Sequence, residues 1–184
     1  MENNIIFQTT TKTDKNITFR YPTIDDLQIL TYYINKLSTE KTFINFQGEQ
    51  QTLKEEKKWL TEKVKKIKKH ECVSILAFVN NKLIGSSEIN LNGLSIKHIG
   101  SFGITIDVDY RGEGIGKLLM GLVIKESIKN MQDLKIIKLE CFASNPIAPN
   151  LYKKMGFIEY GRLPSGLKRQ GGFVDEVLMY KLVK

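Results

Sequence analysis

Apolar residues recur at helical spacing in two early stretches. Ile24, Leu27, Leu30, Ile34 and Leu37 fall on one face, and Thr23 with Asp26 three positions later forms a capping pattern ahead of them. A helix running to about Ser38 with that face buried is predicted. Trp59, Leu60, Val64 and Ile67 make a second apolar face behind Thr52-Leu53-Lys54-Glu55, another capping pattern, and predict a helix to about Lys69. The rest of its surface is dense in lysine (Lys54, Lys57, Lys58, Lys63, Lys65, Lys66, Lys68 and Lys69), broken by Glu55, Glu56 and Glu62, and reads as a solvated face. Residues 39–51 between the helices read as a loop whose Phe43, Ile44 and Phe46 either pack on the core or line a pocket.

Elsewhere the pattern switches to strands. Ile17-Thr18-Phe19-Arg20 alternates, while residues 1–16 before it form either a frayed arm or an extra edge strand. Val73–Val79 and Leu83–Ile89 flank Asn80-Asn81-Lys82 as the arms of a hairpin would, and a turn at Asn92-Gly93 leads to a third strand over Ile99–Asp107. Ile115, Leu118, Leu119, Leu122, Val123 and Ile128 then make a central helix, ending near Asn130. Ile136–Phe142 follows as a strand, parallel to the one before the helix if the three form a strand-helix-strand unit. Ala148–Met155 is a short helix with Pro149 in its first turn, and Gly156 ends it. Phe157–Leu163 and Gly172–Val183 complete a hairpin joined by the glycine-rich stretch Ser165–Gly172, which could shape an acceptor entrance, make a homodimer contact or be a mobile loop. The elements add up to a mixed α/β class, expected as one domain over residues 1–184.

Composition narrows the chemistry. No apolar run approaches the roughly 18 residues of a membrane span, and the N-terminus lacks the basic region of a secretory signal, so a cytoplasmic protein without membrane partners is expected. Cys72 and Cys141 are the only cysteines and His70 and His98 the only histidines, which offers neither a disulfide framework nor a metal site. The net charge of +8 suits polyanionic ligands, but it is mostly lysine. Arginine occurs only at 20, 111, 162 and 169, which weighs against base reading and makes nucleic acid an unexpected partner.

The chemistry concentrates at Val108-Asp109-Tyr110-Arg111-Gly112-Glu113-Gly114-Ile115-Gly116-Lys117, where a strand gives way to a helix. Glycines at 112, 114 and 116 let backbone N–H groups point outward at a positive helix start, with Arg111 and Lys117 adding charge, as a phosphate site needs. A tight connection with no ligand is the alternative. The dinucleotide fingerprint fails because the third glycine comes one residue early. A mononucleotide loop fails because three residues, not four, separate Gly112 from Gly116, and Leu118 stands where its hydroxyl should be.

What remains is Arg-x-x-Gly-x-Gly, followed by Asn145-Pro146-Ile147-Ala148-Pro149-Asn150-Leu151-Tyr152-Lys153-Lys154-Met155-Gly156-Phe157. These two segments resemble the GNAT superfamily of N-acetyltransferases, whose second signature reads Asn-x-x-Ala-x-x-Leu-Tyr-x-x-x-Gly-Phe. The resemblance spans at least residues 83–157 and departs at Val108, where members often carry proline. It implies an acyl-CoA N-acyltransferase fold: a mostly antiparallel sheet with one parallel pair splayed to admit CoA, flanked by about four helices. It further implies acetyl transfer from acetyl-CoA to a primary amine in a ternary complex, without a metal. The acceptor would be a protein N-terminus, an amino acid or another small amine. A catalytically silent acyl-CoA-binding or regulatory module of the same fold is the alternative.

The resemblance also carries residues. Arg111, Gly112, Gly114, Ile115, Gly116 and Lys117 would cradle the pyrophosphate, Ile104 and Ile106 would offer backbone groups to the pantetheine arm, and Asn145 would contact the cofactor nearby. The Ile106 N–H would stabilise the oxyanion and Tyr152 would protonate the departing sulfur. Glu140 is the expected base, with Glu88 and Asp107 as secondary candidates; alternation puts Glu140 and Phe142 on one face and Leu139 and Cys141 on the other. An acyl-enzyme on Cys141 is disfavoured, because no histidine lies nearby in sequence.

Overall fold

Asn80 and Asn81 adopt φ of 48° and 62°, the mirror-image turn whose twist matches that of two adjoining strands. The hairpin they make, β3 (Cys72–Val79) with β4 (Lys82–Leu91), is the middle of the molecule. The computed structural model describes residues 4–11, 13–169 and 171–183. To one side of the hairpin lie β2 (Asn16–Arg20) and β1 (Ile5–Thr10). To the other lie β5 (Ile99–Ile106), β6 (Ile136–Phe142), and the pair β7 (Ile158–Arg169) and β8 (Gly172–Leu182). The open sheet runs β1-β2-β3-β4-β5-β6-β8-β7, antiparallel throughout except for β5 beside β6.

Among the described residues four α-helices cover it: α1 (Leu27–Thr39), α2 (Leu53–Lys68), α3 (Ile115–Asn130) and α4 (Ala148–Lys154). β3 is apolar along nearly its whole length because both its faces are covered. Val73, Ile75 and Ala77 pack in the cluster of α3, with Ile115, Leu119, Met120 and Val123; Leu76 and Phe78 pack in that of α1 and α2, with Leu30, Tyr33, Leu37 and Leu60. Both predicted capping boxes form, at Thr23 with Asp26 and at Thr52 with Glu55.

Three expectations need correction. The buried face of the first helix is carried by Leu30, Thr31, Tyr33, Leu37 and Ser38, while Ile24 sits in a preceding 3-10 turn and is exposed. On α2, Lys63 is not part of the solvated face. It is buried beneath the helix, where Glu88 and Asn90 meet its ammonium, and Trp59, expected inside, is 40% exposed. Finally, β7 does not stop at Leu163. The stretch from Ser165, read as a loop, stays in the sheet through Arg169 by way of an irregularity between Leu163 and Leu167, with Ser165 at φ 54°. Within the N-terminal stretch, residues 1–3 and Lys12 lie outside the described residues, as do Gln170 and Lys184.

Candidate active site

The end of β5 is where backbone pairing fails. β5 and β6 are in register for three residue pairs, Ile99 to Ser101 against Ile136 to Lys138, and then diverge, although both strands continue. On its other edge β5 stays zipped to β4 as far as Gly85 opposite Ile106. The Asp107 N–H donates to the Ile84 carbonyl, and the Gly103 carbonyl accepts from the Ser87 hydroxyl. Backbone groups alternate along a strand, so odd-numbered residues here face β4, and those of Ile104 and Ile106 face the opening seam.

A 3-10 turn over Val108–Tyr110 follows, built on Asp107. This carboxylate is almost wholly buried and takes the Asp109 N–H and two bonds from the Lys36 ammonium, at 2.8 and 2.7 Å, with Lys82 at 3.5 Å. Burial alone would raise its pKa; the bonds from Lys36 and Asp109 outweigh that and hold it below the usual range. A depressed carboxylate stabilises the fold above its ordinary pKa of about 4, and that contribution disappears as pH falls through the lower folded value. Asp107→Ala is therefore expected to cost about 2–3 kcal/mol at pH 7 and to flatten the acid side of the stability profile. Urea denaturation from pH 7 to pH 2 measures both effects, and equal losses at the two ends would refute the linkage.

Beyond this anchor the chain becomes a shell of free donors. Arg111 donates from Nε to the Ile106 carbonyl at 2.9 Å and from its guanidinium to Glu40 at 2.6 Å, so it braces the turn. Glu113 is held from the opposite side by Lys15 and Thr13. Gly112 and Gly114 sit at φ 82° and 84°, where a side chain is strained, and space beside both is open. Gly114 caps α3 without a side-chain acceptor, and the N–H groups of residues 112 to 117 find no acceptor among the described residues. Lys117 is exposed beside them. Six successive donors at a helix start fit an anionic group such as a pyrophosphate.

Tyr152, on α4, closes the inner end of the seam. It is buried, with its ring edge-on to Phe102 of β5 at 6.1 Å and against Phe157 at 6.2 Å. Burial first, then the neighbouring Cys141, pushes its pKa well up, which keeps the phenol protonated. Its hydroxyl has no hydrogen-bond partner among the described residues. Asn145 does not leave its carbonyl for a ligand: Oδ1 accepts the N–H groups of Ile147 and Ala148, each at 3.0 Å, and holds the start of α4. Cys141 is buried too, and desolvation pushes its thiol up to about 11, so it is not poised as a thiolate nucleophile.

The carboxylates fall out differently from expectation. Glu140, the expected base, has a half-exposed side chain that lies 3.6 Å from Lys138. Both oxygens of Glu88 are engaged, by Lys63 at 2.7 Å and by Asn90 at 2.8 Å. Asp107 is consumed as described. The buried carboxylate with no hydrogen-bond or ion-pair partner among the described residues is one the sequence hid among lysines. Glu56 on α2 is only 7% exposed, and burial raises its pKa. It lines a cavity of about 370 Å³ between α1, α2, β4 and β5, together with Tyr33, Ile44, Phe46, Trp59, Glu88 and Ile104. The available signal was its spacing: Glu56, Leu60 and Lys63 share one side of α2, and all three are buried.

The Acetyltransferase (GNAT) family model matches residues 32–157, which takes in the splayed strands, the glycine turn and Tyr152. The chain belongs to this family. Among its relatives, L-amino acid N-acetyltransferase AaaT of Escherichia coli (strain K12) is 28% identical over 109 residues, 59% of this chain and 67% of that one. A solved GNAT acetyltransferase from Streptococcus pneumoniae is 27% identical and superposes with a TM-score of 0.84 over 91% of this chain and 99% of its own. The fold is shared as well with yncA of Salmonella typhimurium, solved with its cofactor acetyl-CoA (14% identity, TM-score 0.79, 91% of this chain and 94% of that one). Among the described residues no cluster of His, Cys, Asp and Glu could hold a metal, and no helix is long and apolar enough to cross a membrane.

Proposed function

We propose that this GNAT protein transfers the acetyl group of acetyl-CoA to a primary amine by direct attack in a ternary complex. One observation carries the reading: an unpaired seam between β5 and β6 runs from a turn of free N–H donors to a buried tyrosine with an unengaged hydroxyl. The turn at 112–117 takes the pyrophosphate, with Arg111 bracing it and Lys117 adding charge. The pantetheine arm lies along the seam, hydrogen-bonded to the backbone of Ile104 as a third strand would be, while the Ile106 carbonyl is held by Arg111 and its N–H is left for the thioester. Asn145 acts there by fixing α4, which in turn fixes Tyr152.

When bound, acetyl-CoA supplies a thioester carbon open to attack. The amine nitrogen bonds to that carbon, the Ile106 N–H stabilises the oxyanion, and the carbon–sulfur bond breaks. Tyr152 gives its proton to the sulfur and is restored by a proton from the nitrogen. The AaaT relative and the yncA complex support the reaction class and the donor. The test is a panel of amines incubated with acetyl-CoA, with free thiol and N-acetyl product followed together. Thiol released without acetylated amine, or acetyl-CoA bound and never consumed, would leave an acyl-CoA-binding module instead.

A further inference from the structure

Glu56 has no reason to be where it is if α2 were only a cover for the sheet. Glu55 performs the capping at this helix start, and Glu56, one residue on, turns inward and makes no side-chain hydrogen bond or ion pair among the described residues. A buried carboxylate without a partner is costly, and proteins keep such groups where a ligand completes them. Its cavity partner Glu88 is already neutralised by Lys63, which α2 supplies from two turns further along the same side. The space therefore holds one uncompensated carboxylate.

The rest of the lining defines what can enter. No lysine, arginine or histidine contributes to it. Leu30, Ile34, Ile44, Phe46 and Trp59 give it apolar walls, and the Gly103 to Thr105 segment of β5 forms its floor, so it abuts the strand along which the thioester is proposed to lie. A volume of about 370 Å³ suits a small molecule.

We infer that this cavity receives the acceptor amine and that Glu56 holds its ammonium and takes the first proton from it, selecting amines on an apolar body that carry no neighbouring carboxylate. The inference rests on the transferase reading above. The protonated amine gives one proton to Glu56, and the neutral nitrogen then attacks the thioester; Glu56 later releases its proton to water as the amide leaves. This assigns to Glu56 the role for which sequence pointed to Glu140. An α-carboxylate brought into the same space would meet Glu56 without any cation to offset it. The raised pKa that burial gives Glu56 suits it to accept a proton and lets an arriving ammonium hold it ionised.

Phenethylamine and phenylalanine, which differ only by the carboxylate, are the probes. Wild-type protein is expected to acetylate phenethylamine with kcat/KM at least tenfold above phenylalanine, and Glu56→Gln to lower the phenethylamine value at least thirtyfold with acetyl-CoA affinity unchanged. Phenethylamine should raise the melting temperature of the CoA-bound wild type and not that of the variant, a readout independent of turnover. If Glu56→Gln does not fold, Glu56→Asp withdraws the carboxylate by one methylene and should cost at least fivefold. Equal use of the two probes overturns the inference, as does a loss carried by Glu140→Gln in place of Glu56→Gln. If no amine is acetylated, the transferase reading falls, and phenethylamine binding with its dependence on Glu56 still decides the site.

Discussion

Tyr152→Phe should lower turnover about a hundredfold while leaving acetyl-CoA affinity and thermal stability near wild type. General acid catalysis is worth about 10²–10⁴ in rate, and the lower end applies because water can reach a seam that opens to solvent. The substitution is clean. The ring packs against Phe102 and Phe157, which phenylalanine preserves, and the hydroxyl gives up no bond to the described protein, so no buried partner is orphaned. In the proposed reaction, a phenol kept protonated by burial would meet the departing sulfur as a donor. Steady-state kinetics beside calorimetric titration of acetyl-CoA separate the effects. Turnover within threefold of wild type would take Tyr152 out of the reaction, and a loss of acetyl-CoA affinity to match would make it a packing residue.

Gly114→Val is expected to weaken acetyl-CoA binding ten- to a hundredfold and the fold only slightly. At φ 84° a β-branched residue is strained by about 1–2 kcal/mol, a modest cost with α3 otherwise locked into the core by Ile115, Leu119, Met120 and Val123. The turn can relieve that strain by rotating, which re-aims the N–H groups on either side. Each hydrogen bond to a charged group is worth about 1.5–3 kcal/mol, so losing one accounts for the expected range. Titration calorimetry checks it. Undiminished affinity would mean that the phosphates do not lie on this turn.

How much of this could be read from sequence depended on whether a residue's environment is local. α3 begins at Ile115 and ends at Asn130 as its apolar girth and glycine start indicate, and the β3–β4 hairpin turns at its asparagines, because caps and turns are decided by adjacent residues. β7 reads as ending early because Pro164, Ser165 and Gly166 look like a loop; they bulge from the ladder, and the pairs Leu163–Glu176 and Leu167–Val174 on either side, with the Ser165 N–H donating to Asp175, carry the strand past them. Lys63 and Glu56 were illegible for a different reason. Periodicity sorts residues by polarity, and a charge on the inner side of a helix makes sense only beside Glu88 or a cavity contributed by distant strands. For the candidate site, glycine spacing marked the turn of free N–H groups, and the family resemblance singled out Tyr152, whose role stands as proposed. The dry carboxylate needed the packing of α2 across β4 and β5.

The short pairing between β5 and β6 has an architectural consequence. Five strands on one side and three on the other are stitched along the sheet by three residue pairs, with α3 spanning the gap in sequence between β5 and β6. A ligand lying in that seam, as proposed for acetyl-CoA, serves as mortar between two blocks. Because it binds only when both blocks are in place, the folded population is coupled by mass action to its supply, and the protein becomes sturdier whenever the acetyl donor is plentiful.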